Sequence, residues 1–273
     1  MQTELAAGLH VPAEGGVDSS AYDQWVGRWS RLFVPAVLAA GDLRPGLRVL
    51  DVSTGTGEAS LAILPCIGSS GLLVGADIAP TMLEAARSRL TKGAFLPVAA
   101  DGQALPFADA SFDAVICQLG LQFFPDPGRG LMEFRRVLRD GCRVGICVIS
   151  TPDRAPMWGI LAEVLSRAVP ARRDIAQLSF ALANSRQLEH LLTGAGFRDV
   201  HVERQSREGA FDSLDDYWAP IEAGTGSIPQ VYLSLPEDQR RAVRDEVTER
   251  LANFQSDGRL VMSVEMLIAS GRA

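Results

Sequence analysis

The sequence predicts an α/β protein: a doubly wound, mostly parallel sheet of seven strands, preceded by N-terminal helices and carrying an inserted helical cap. Three observations carry that expectation. Residues 47–52 form a short, apolar, β-branched run that ends in the turn Ser53-Thr54-Gly55-Thr56-Gly57, after which Leu61, Leu64 and Ile67 recur at helical spacing. From there to Ile149 strand-like and helix-like stretches alternate, as right-handed βαβ units require. Beyond Ser150 the alternation stops, and strand signals return only at 199–204 and 260–268.

Taken in order, residues 1–17 are polar and unpatterned and read as a mobile N-terminus. Tyr22, Trp25, Val26 and Trp29, then Leu32, Phe33, Val37 and Leu38, fall at helical spacing and predict two short helices, the first capped by Asp18 or Ser19. A turn at 41–46 leads into the first strand. The second strand, 72–76, ends at Asp77, and Pro80 opens a helix over 81–90. A third strand at 95–98 leads to Asp101, a fourth spans 113–117, a helix follows near 128–138, and a fifth strand covers 142–149. Trp158, Leu161, Val164 and Leu165 then mark a helix, while 171–183 fits no single element. Ser185 is placed to cap a helix that Gly194-Ala195-Gly196 ends. A short helix starts at 212–215 and carries Tyr217 and Trp218, and Ser234-Leu235-Pro236-Glu237 has capping-box spacing for a helix with Val243, Val247, Leu251 and Phe254 on one stripe. The expected organisation is therefore a ligand-binding core over 18–150, a helical cap from 151–184 and 205–258, and a helix and strands at 185–204 and 259–273 that complete the core.

A net charge of −7 argues against a nucleic-acid-binding surface. Cys66, Cys117, Cys142 and Cys147 show no metal-ligand spacing and read as reduced thiols of a cytoplasmic protein, so no metal is expected. Met1 to Glu4 lack the basic start of a secretion signal, and the longest apolar run, 32–40, is broken by Pro35 and too short for membrane insertion. A homodimer is compatible with the sequence.

Chemistry-bearing residues gather at the ends of successive strands, where open α/β sheets bind ligands. Asp51 to Gly57 end the first strand. The following helix start favours an anionic ligand group by roughly 0.3–1 kcal/mol. Asp77 ends the second strand at the distance from the glycine turn where a carboxylate meets ribose hydroxyls, and Asp101-Gly102-Gln103 ends the third, suited to the donor edge of a base.

On these residues the chain resembles the class I S-adenosylmethionine (SAM)-dependent methyltransferases, whose motif series is matched by 49–59, Gly75-Ala76-Asp77-Ile78, 100–107 and Ser111-Phe112-Asp113. It looks most similar to the small-molecule branch that includes ubiquinone/menaquinone-biosynthesis-type enzymes, and 118–126 and 136–141 continue the resemblance. The resemblance covers residues 20–150 and the terminal strands loosely; the inserted helices carry none of it. It implies a Rossmann-like fold, SAM as cofactor and methyl transfer to a small-molecule acceptor. Asp51 would orient the amino group of the methionine moiety, directly or through water, the Gly55 to Gly57 backbone would press against that moiety, and Ser53 and Thr54 are further cofactor-binding candidates. Asp77 would bind the ribose, with Ile78 against the adenine face, and Met82 is a further cofactor-binding candidate. Asp101 would accept from the adenine amino group, Gly102 and Gln103 would complete that pocket, and Gln118 and Leu119 would line the methionyl and methyl region. The family usually has glycine where this chain has Ser53, which adds a hydroxyl at a close approach.

No catalytic residue is assigned. A sulfonium already activates its methyl group, so alignment supplies most of the rate, and a base is needed only for a poorly acidic nucleophile. His10, His190 and His201 read as surface or edge residues. Aromatic faces near the sulfonium, at Tyr22, Trp25 or Phe123, would add roughly 0.5–2 kcal/mol of cation–π attraction. Gln122, Trp158 and Trp218 join these three as acceptor-binding candidates. The cap aromatics, which also include Phe180, Tyr217, Tyr232 and Phe254, point to a partly apolar acceptor, aromatic, quinone- or polyketide-like. Two alternatives stand beside this reading. Ser53 and the lack of an evident base would suit a SAM-binding protein without methyl transfer, such as a cyclase-like enzyme or binding module. A nicotinamide-dependent oxidoreductase is disfavoured by Asp101-Gly102 and by the missing third glycine after Gly55-x-Gly57.

Overall fold

A computed structural model describes residues 19–91, 94–224 and 226–273. The expected mobile segment 1–17, with His10, and the candidate cap Asp18 lie outside the described residues. The chain begins with a continuous helical stretch made of α1 (Ser19–Tyr22), a π-helical turn (Asp23–Gly27) and α2 (Arg28–Ser30), followed by α3 (Val34–Ala40). Then come β1 (Arg48–Val52), α4 (Glu58–Ile67), β2 (Leu72–Asp77), α5 (Pro80–Arg89), β3 (Phe95–Ala99), β4 (Phe112–Gln118), α6 (Pro127–Val137) and β5 (Leu138–Ile149). The second half holds α7 (Pro156–Ala168), α8 (Arg173–Gln177), α9 (Ser185–Gly194), β6 (Arg198–Phe211), α10 (Leu214–Glu222), α11 (Ser227–Leu233), α12 (Glu237–Leu251), β7 (Gln255–Ser256) and β8 (Arg259–Arg272).

The sheet runs in the order β3-β2-β1-β4-β5-β8-β6, with the two-residue β7 paired to β8. β3, β2, β1, β4 and β5 are parallel, and β8 pairs antiparallel with both β5 and β6. Sequence order reverses between β1 and β4, which opens a crevice beyond their carboxyl ends. Successive residues of the central strands feed opposite faces. Val49, Ala114 and Ile116 enter the core shared with α3, α4 and the cap, while Leu50, Val52, Val115 and Cys117 enter the core under α6 and α9. Burial on both faces explains why these strands read as unbroken apolar runs.

The cap grows out of the first of these cores. Trp25 packs edge-on against Trp158 at 6.5 Å and Tyr217 at 5.5 Å, and Tyr217 donates to the Met157 carbonyl at 3.0 Å. Arg28 ties the N-terminal helical stretch to α10 through both oxygens of Asp216, at 2.6 and 3.0 Å, and this holds the Asp216 carboxyl below its ordinary range.

Several local expectations differ from the structure. β6 continues past 204 to Phe211, because its pairing with β8 supplies the order while exposed Ser206, Arg207 and Glu208 hide the strand pattern. Asn184, not Ser185, caps α9, accepting from the amides of Arg186 and Gln187. The capping box before α12 does not form; Ser234 donates instead to the Val231 carbonyl, and Pro236 stands at the cap position. The stretch 171–183 resolves into short 3-10 turns around α8. Helix α11 escapes a pattern search because Gly224, Gly226 and Pro229 give its surroundings the composition of a loop.

Candidate functional site

β1 delivers the chain to a turn that its own residues distort. Ser53 sits at φ 57°, in the left-handed region that costs a residue with a side chain roughly 1–2 kcal/mol. Gly57 at φ 88° opens α4, and a Cβ there would lie 3.0 Å from Leu90 Cδ1, so glycine lets α5 pack against the turn. The turn is pinned by Asp77 at the end of β2. One oxygen of its carboxylate accepts from the Gly55 amide at 2.8 Å, the other from the Ala79 amide at 2.9 Å. Burial pushes the Asp77 carboxyl above its ordinary value, opposed by these amide bonds.

Asp51 lies behind the turn, 1% exposed, with one oxygen accepting from Thr54 Oγ1 at 2.9 Å and Ser60 Oγ at 2.6 Å. Burial raises its pKa to about 6; the two hydroxyl bonds pull it down and the negative charge of Asp77 adds to the rise. The third loop is held by a relay in which Asp101 accepts from the Gln103 amide at 2.8 Å and Gln103 Oε1 accepts from the Asp126 amide at 2.8 Å. Gly102 passes under Phe124, where a Cβ would come within 2.3 Å of the ring.

Beyond β4, Leu119 is also left-handed at φ 57°. The next residue, Gly120, faces Ser53 so closely that a Cβ on Gly120 would lie 2.3 Å from Ser53 Cβ and 2.5 Å from its Oγ. The serine side chain therefore fills the space that Gly120 leaves empty.

Ser53, Gly55, Asp77, Ile78, Met82, Asp101, Gly102 and Gln103 line one side of a single cleft. Gln118, Leu119, Gln122 and Phe123 line its end above β4, and Tyr22, Trp25 and Trp158 close it from the N-terminal helical stretch and the cap. Asp51, Thr54 and Gly57 stand one layer behind this wall and do not line it. Trp218 needs a correction as an acceptor-binding candidate. It is buried in the cap, with Nε1 donating to Thr248 Oγ1 at 3.3 Å, Tyr232 at 5.5 Å and the Arg244 guanidinium 5.0 Å above its ring. Helix α10 turns Tyr217 and Trp218 both into the cap interior.

The cleft wall also takes in Val26, Ile149, Ser179, Ser227, Ile228 and Gln230. The last three belong to α11 and its start, whose Ile228, Val231, Tyr232 and Leu235 at helical spacing were the available signal. A polar clamp that the motifs did not announce holds the N-terminal helical stretch on the glycine turn. Thr56 Oγ1 donates to Asp23 at 2.6 Å, and Arg89 reaches the Thr56 carbonyl and Glu58, each at 2.9 Å.

Charge is segregated within the cleft. Among the described residues its titratable groups are Asp77 and Asp101 at the strand ends and Tyr22 beside them. Enclosure, aided by the negative charges of Asp77 and Asp23, raises the Tyr22 phenol well above its ordinary value, so it is a neutral hydrogen-bonding group. The end formed by Trp25, Gln122, Trp158 and Ile228 is uncharged. There Gln122 is buried with neither amide atom paired, and Gln118 has an unpaired Oε1. Each such atom costs about 1–3 kcal/mol unless a ligand or water meets it. His190 and His201 are exposed and do not line the cleft. Among the described residues no group of acidic, histidine or cysteine side chains could hold a metal, and no helix is long and apolar enough to cross a membrane.

Residues 27–167, just over half of the chain, match the model of the ubiE/COQ5 methyltransferase family. A demethylmenaquinone methyltransferase of Corynebacterium kroppenstedtii is 34% identical over 170 residues, taking in 58% of this chain and 71% of that relative. In further relatives of that name the match takes in 54% to 59% of their length. Among solved structures, a Bacillus halodurans methyltransferase superposes with a TM-score of 0.60 at 21% identity, covering 88% of this chain and 97% of the other. A phosphoethanolamine N-methyltransferase 2 of Haemonchus contortus, solved with S-adenosyl-L-methionine, gives 0.58 at 18% identity over 93% of this chain and 56% of its own. Likeness at these identities establishes the shared fold.

Proposed function

The chain belongs to the ubiE/COQ5 methyltransferase family, and from that premise we propose that it transfers a methyl group from SAM to a ring carbon of a small quinone-like acceptor in its reduced, hydroxyl-bearing form. The observation that carries this reading is the segregated cleft: strand-end carboxylates at one end, an uncharged aromatic chamber at the other, continuous between them. The unpaired glutamine atoms at their junction are consistent with ligands filling it.

Bound SAM would supply a sulfonium-activated methyl group, so the protein's task is to bind and align the two ligands. Asp77, both of whose oxygens already hold backbone amides, keeps lone pairs for two ribose hydroxyls and thereby couples ribose binding to the shape of the glycine turn. Asp51 acts from behind the wall, its charge favouring the ammonium end of the methionine moiety directly or through water. Ile78 and Met82, which line the cleft, would flank the adenine, and Asp101, Gly102 and Gln103 would meet its polar edge. Gln118 and Leu119 would line the methyl-bearing end, and the rings of Tyr22, Trp25 and Phe123 would favour a cation there.

The acceptor follows from the chamber and from the relatives named for demethylmenaquinone, a naphthoquinone. A ring carbon attacks a methyl group only when electron-rich, which the hydroxyl-bearing form is: as the new carbon–carbon bond forms, the carbon–sulfur pair stays with sulfur, and the ring proton leaves to water. Residues 18–150 act as the cofactor-binding core and 151–184 with 205–258 as the acceptor cap, although β6 runs to Phe211 before the second part of that cap begins. The reading includes a cytoplasmic protein that works without nucleic acid, in keeping with its net charge of −7, and a homodimer is compatible with it.

Incubation with methyl-labelled SAM and a panel of naphthohydroquinones, phenols and polyketide-like compounds tests the proposal. Label is expected on the naphthohydroquinones. Tight SAM binding with no transfer to any compound would instead select a SAM-binding protein without methyl transfer.

A further inference from the structure

Resting on the proposed methyl transfer, we propose that Gln122 and Gln118 together read one ring hydroxyl of the acceptor, Gln122 Nε2 donating a hydrogen bond to its oxygen and Gln118 Oε1 accepting one from its O–H.

Gln122 is 2% exposed, lines the cleft, and has no hydrogen-bond partner at either amide atom. A side-chain amide buried in that state is stable only if something else meets it. Gln118 is the last residue of β4, and Gln122 sits in the 3-10 turn that follows, Leu121–Phe123, so both line the cleft beyond the carboxyl end of β4. The direction of the Gln118 amide is settled by its neighbours. Its Nε2 donates to the Ser30 carbonyl at 2.7 Å and contacts Ser30 Oγ at 2.9 Å, and a backbone carbonyl accepts only. Gln118 Oε1 is therefore the end left over, buried and unpaired.

One fixed acceptor and one free amide in the same cleft wall suit a group that both donates and accepts, which is a hydroxyl. A bare ring leaves both glutamines unmet, and a methyl ether satisfies only the Gln122 donor. A carboxylate or an ammonium would be stripped of water in a chamber whose described walls offer it no counter-charge. The pair thus selects an uncharged hydroxylated ring over its deoxy, etherified or ionic analogues, and it fixes which ring edge faces the Leu119 end of the cleft.

Equilibrium binding tests this without turnover. Calorimetry on the protein loaded with S-adenosylhomocysteine is run with 1-naphthol, 1-methoxynaphthalene and naphthalene as probes. Wild-type protein is expected to bind them in that order, each step about five- to tenfold. Gln122→Met, close to isosteric and unable to hydrogen-bond, is expected to weaken 1-naphthol about tenfold and to leave naphthalene unchanged, with S-adenosylhomocysteine affinity unaltered. The same variant, having lost the amide donor, is expected to weaken 1-methoxynaphthalene as well. Equal wild-type affinity for naphthol and naphthalene, no binding of any probe, or an equal loss for all three in Gln122→Met would overturn the assignment. A retained hydroxyl preference in a protein that transfers no methyl group would refute the proposed function and leave the glutamine pair standing.

Discussion

At the strand-end half of the cleft the shape is held by backbone: Ser53 and Leu119 at φ 57°, Gly57 at φ 88°, and a buried carboxylate at Asp77 that collects the amides of two different loops. At the cap half it is held by side-chain packing. Trp25 meets Trp158 and Tyr217 edge-on, Phe211 lies 5.2 Å from Tyr217, and Trp218 stacks toward Tyr232. The difference decides how each half can vary. A backbone in unusual conformations around buried carboxylates tolerates few residue types, whereas aromatic packing accepts many solutions of similar volume. The first half suits a constant ligand and the second a changeable one.

Four perturbations would break or sharpen that contrast. The largest effect is expected in the cap: Trp218→Ala should lower unfolding free energy by about 3–5 kcal/mol, as loss of a buried indole does. Measured below the foot of the unfolding transition, where the variant is folded, its SAM affinity should stay within a few fold of wild type. A hundredfold loss of SAM binding in a folded Trp218→Ala protein would mean the two halves are not separately built.

Next is the pH dependence of the strand-end half. Asp51 is raised by burial from 3.8 to about 6, so between those values the folded state holds a proton that the unfolded chain releases. Stability should therefore fall as pH rises from about 4 to about 6, by up to about 3 kcal/mol from this group. Asp77, raised by the same cause, adds in the same direction. Thermal melts of Asp51→Asn should show a flatter pH profile, and profiles of equal slope would contradict the burial account.

Asp77→Ala should weaken SAM by about 2 kcal/mol or more, since charge-assisted hydrogen bonds to the ribose disappear and the Gly55 and Ala79 amides lose their acceptor. Calorimetry reads this directly, and an unchanged Kd would remove Asp77 from the proposed site. The smallest effect concerns Ser53 and Gly120. Gly120→Ala should cost about 1–3 kcal/mol through its clash with Ser53, and Ser53→Gly should recover most of it. Additive losses in the double variant would mean the two positions do not share that space.

The same contrast explains what could be read from the sequence. The parallel strands were legible because burial on both faces forces continuous apolar runs, and the strand-end residues Asp77 and Asp101 because topology alone brings them to one edge. The shift of β6 to Phe211 was not, since its far half is exposed and ordered by pairing with β8. Helix α11 was hidden by its glycines and proline, although it supplies Ser227, Ile228 and Gln230 to the chamber. Trp218 looked like Trp158 as a cap tryptophan, and only the turn of α10 separates the one in the interior from the one at the cleft. The clamp of Asp23, Thr56, Glu58 and Arg89 joins four segments and leaves no local pattern. In each case the missing information was a contact between distant parts of the chain.

The division of the cleft is tested most directly by a crystal structure with S-adenosylhomocysteine bound. The expected density has adenine between Ile78, Met82 and Asp101, ribose hydroxyls on Asp77, and sulfur beside Leu119 facing the chamber of Trp25, Gln122 and Trp158. A ligand bound elsewhere, or one whose sulfur turns away from that chamber, would contradict it.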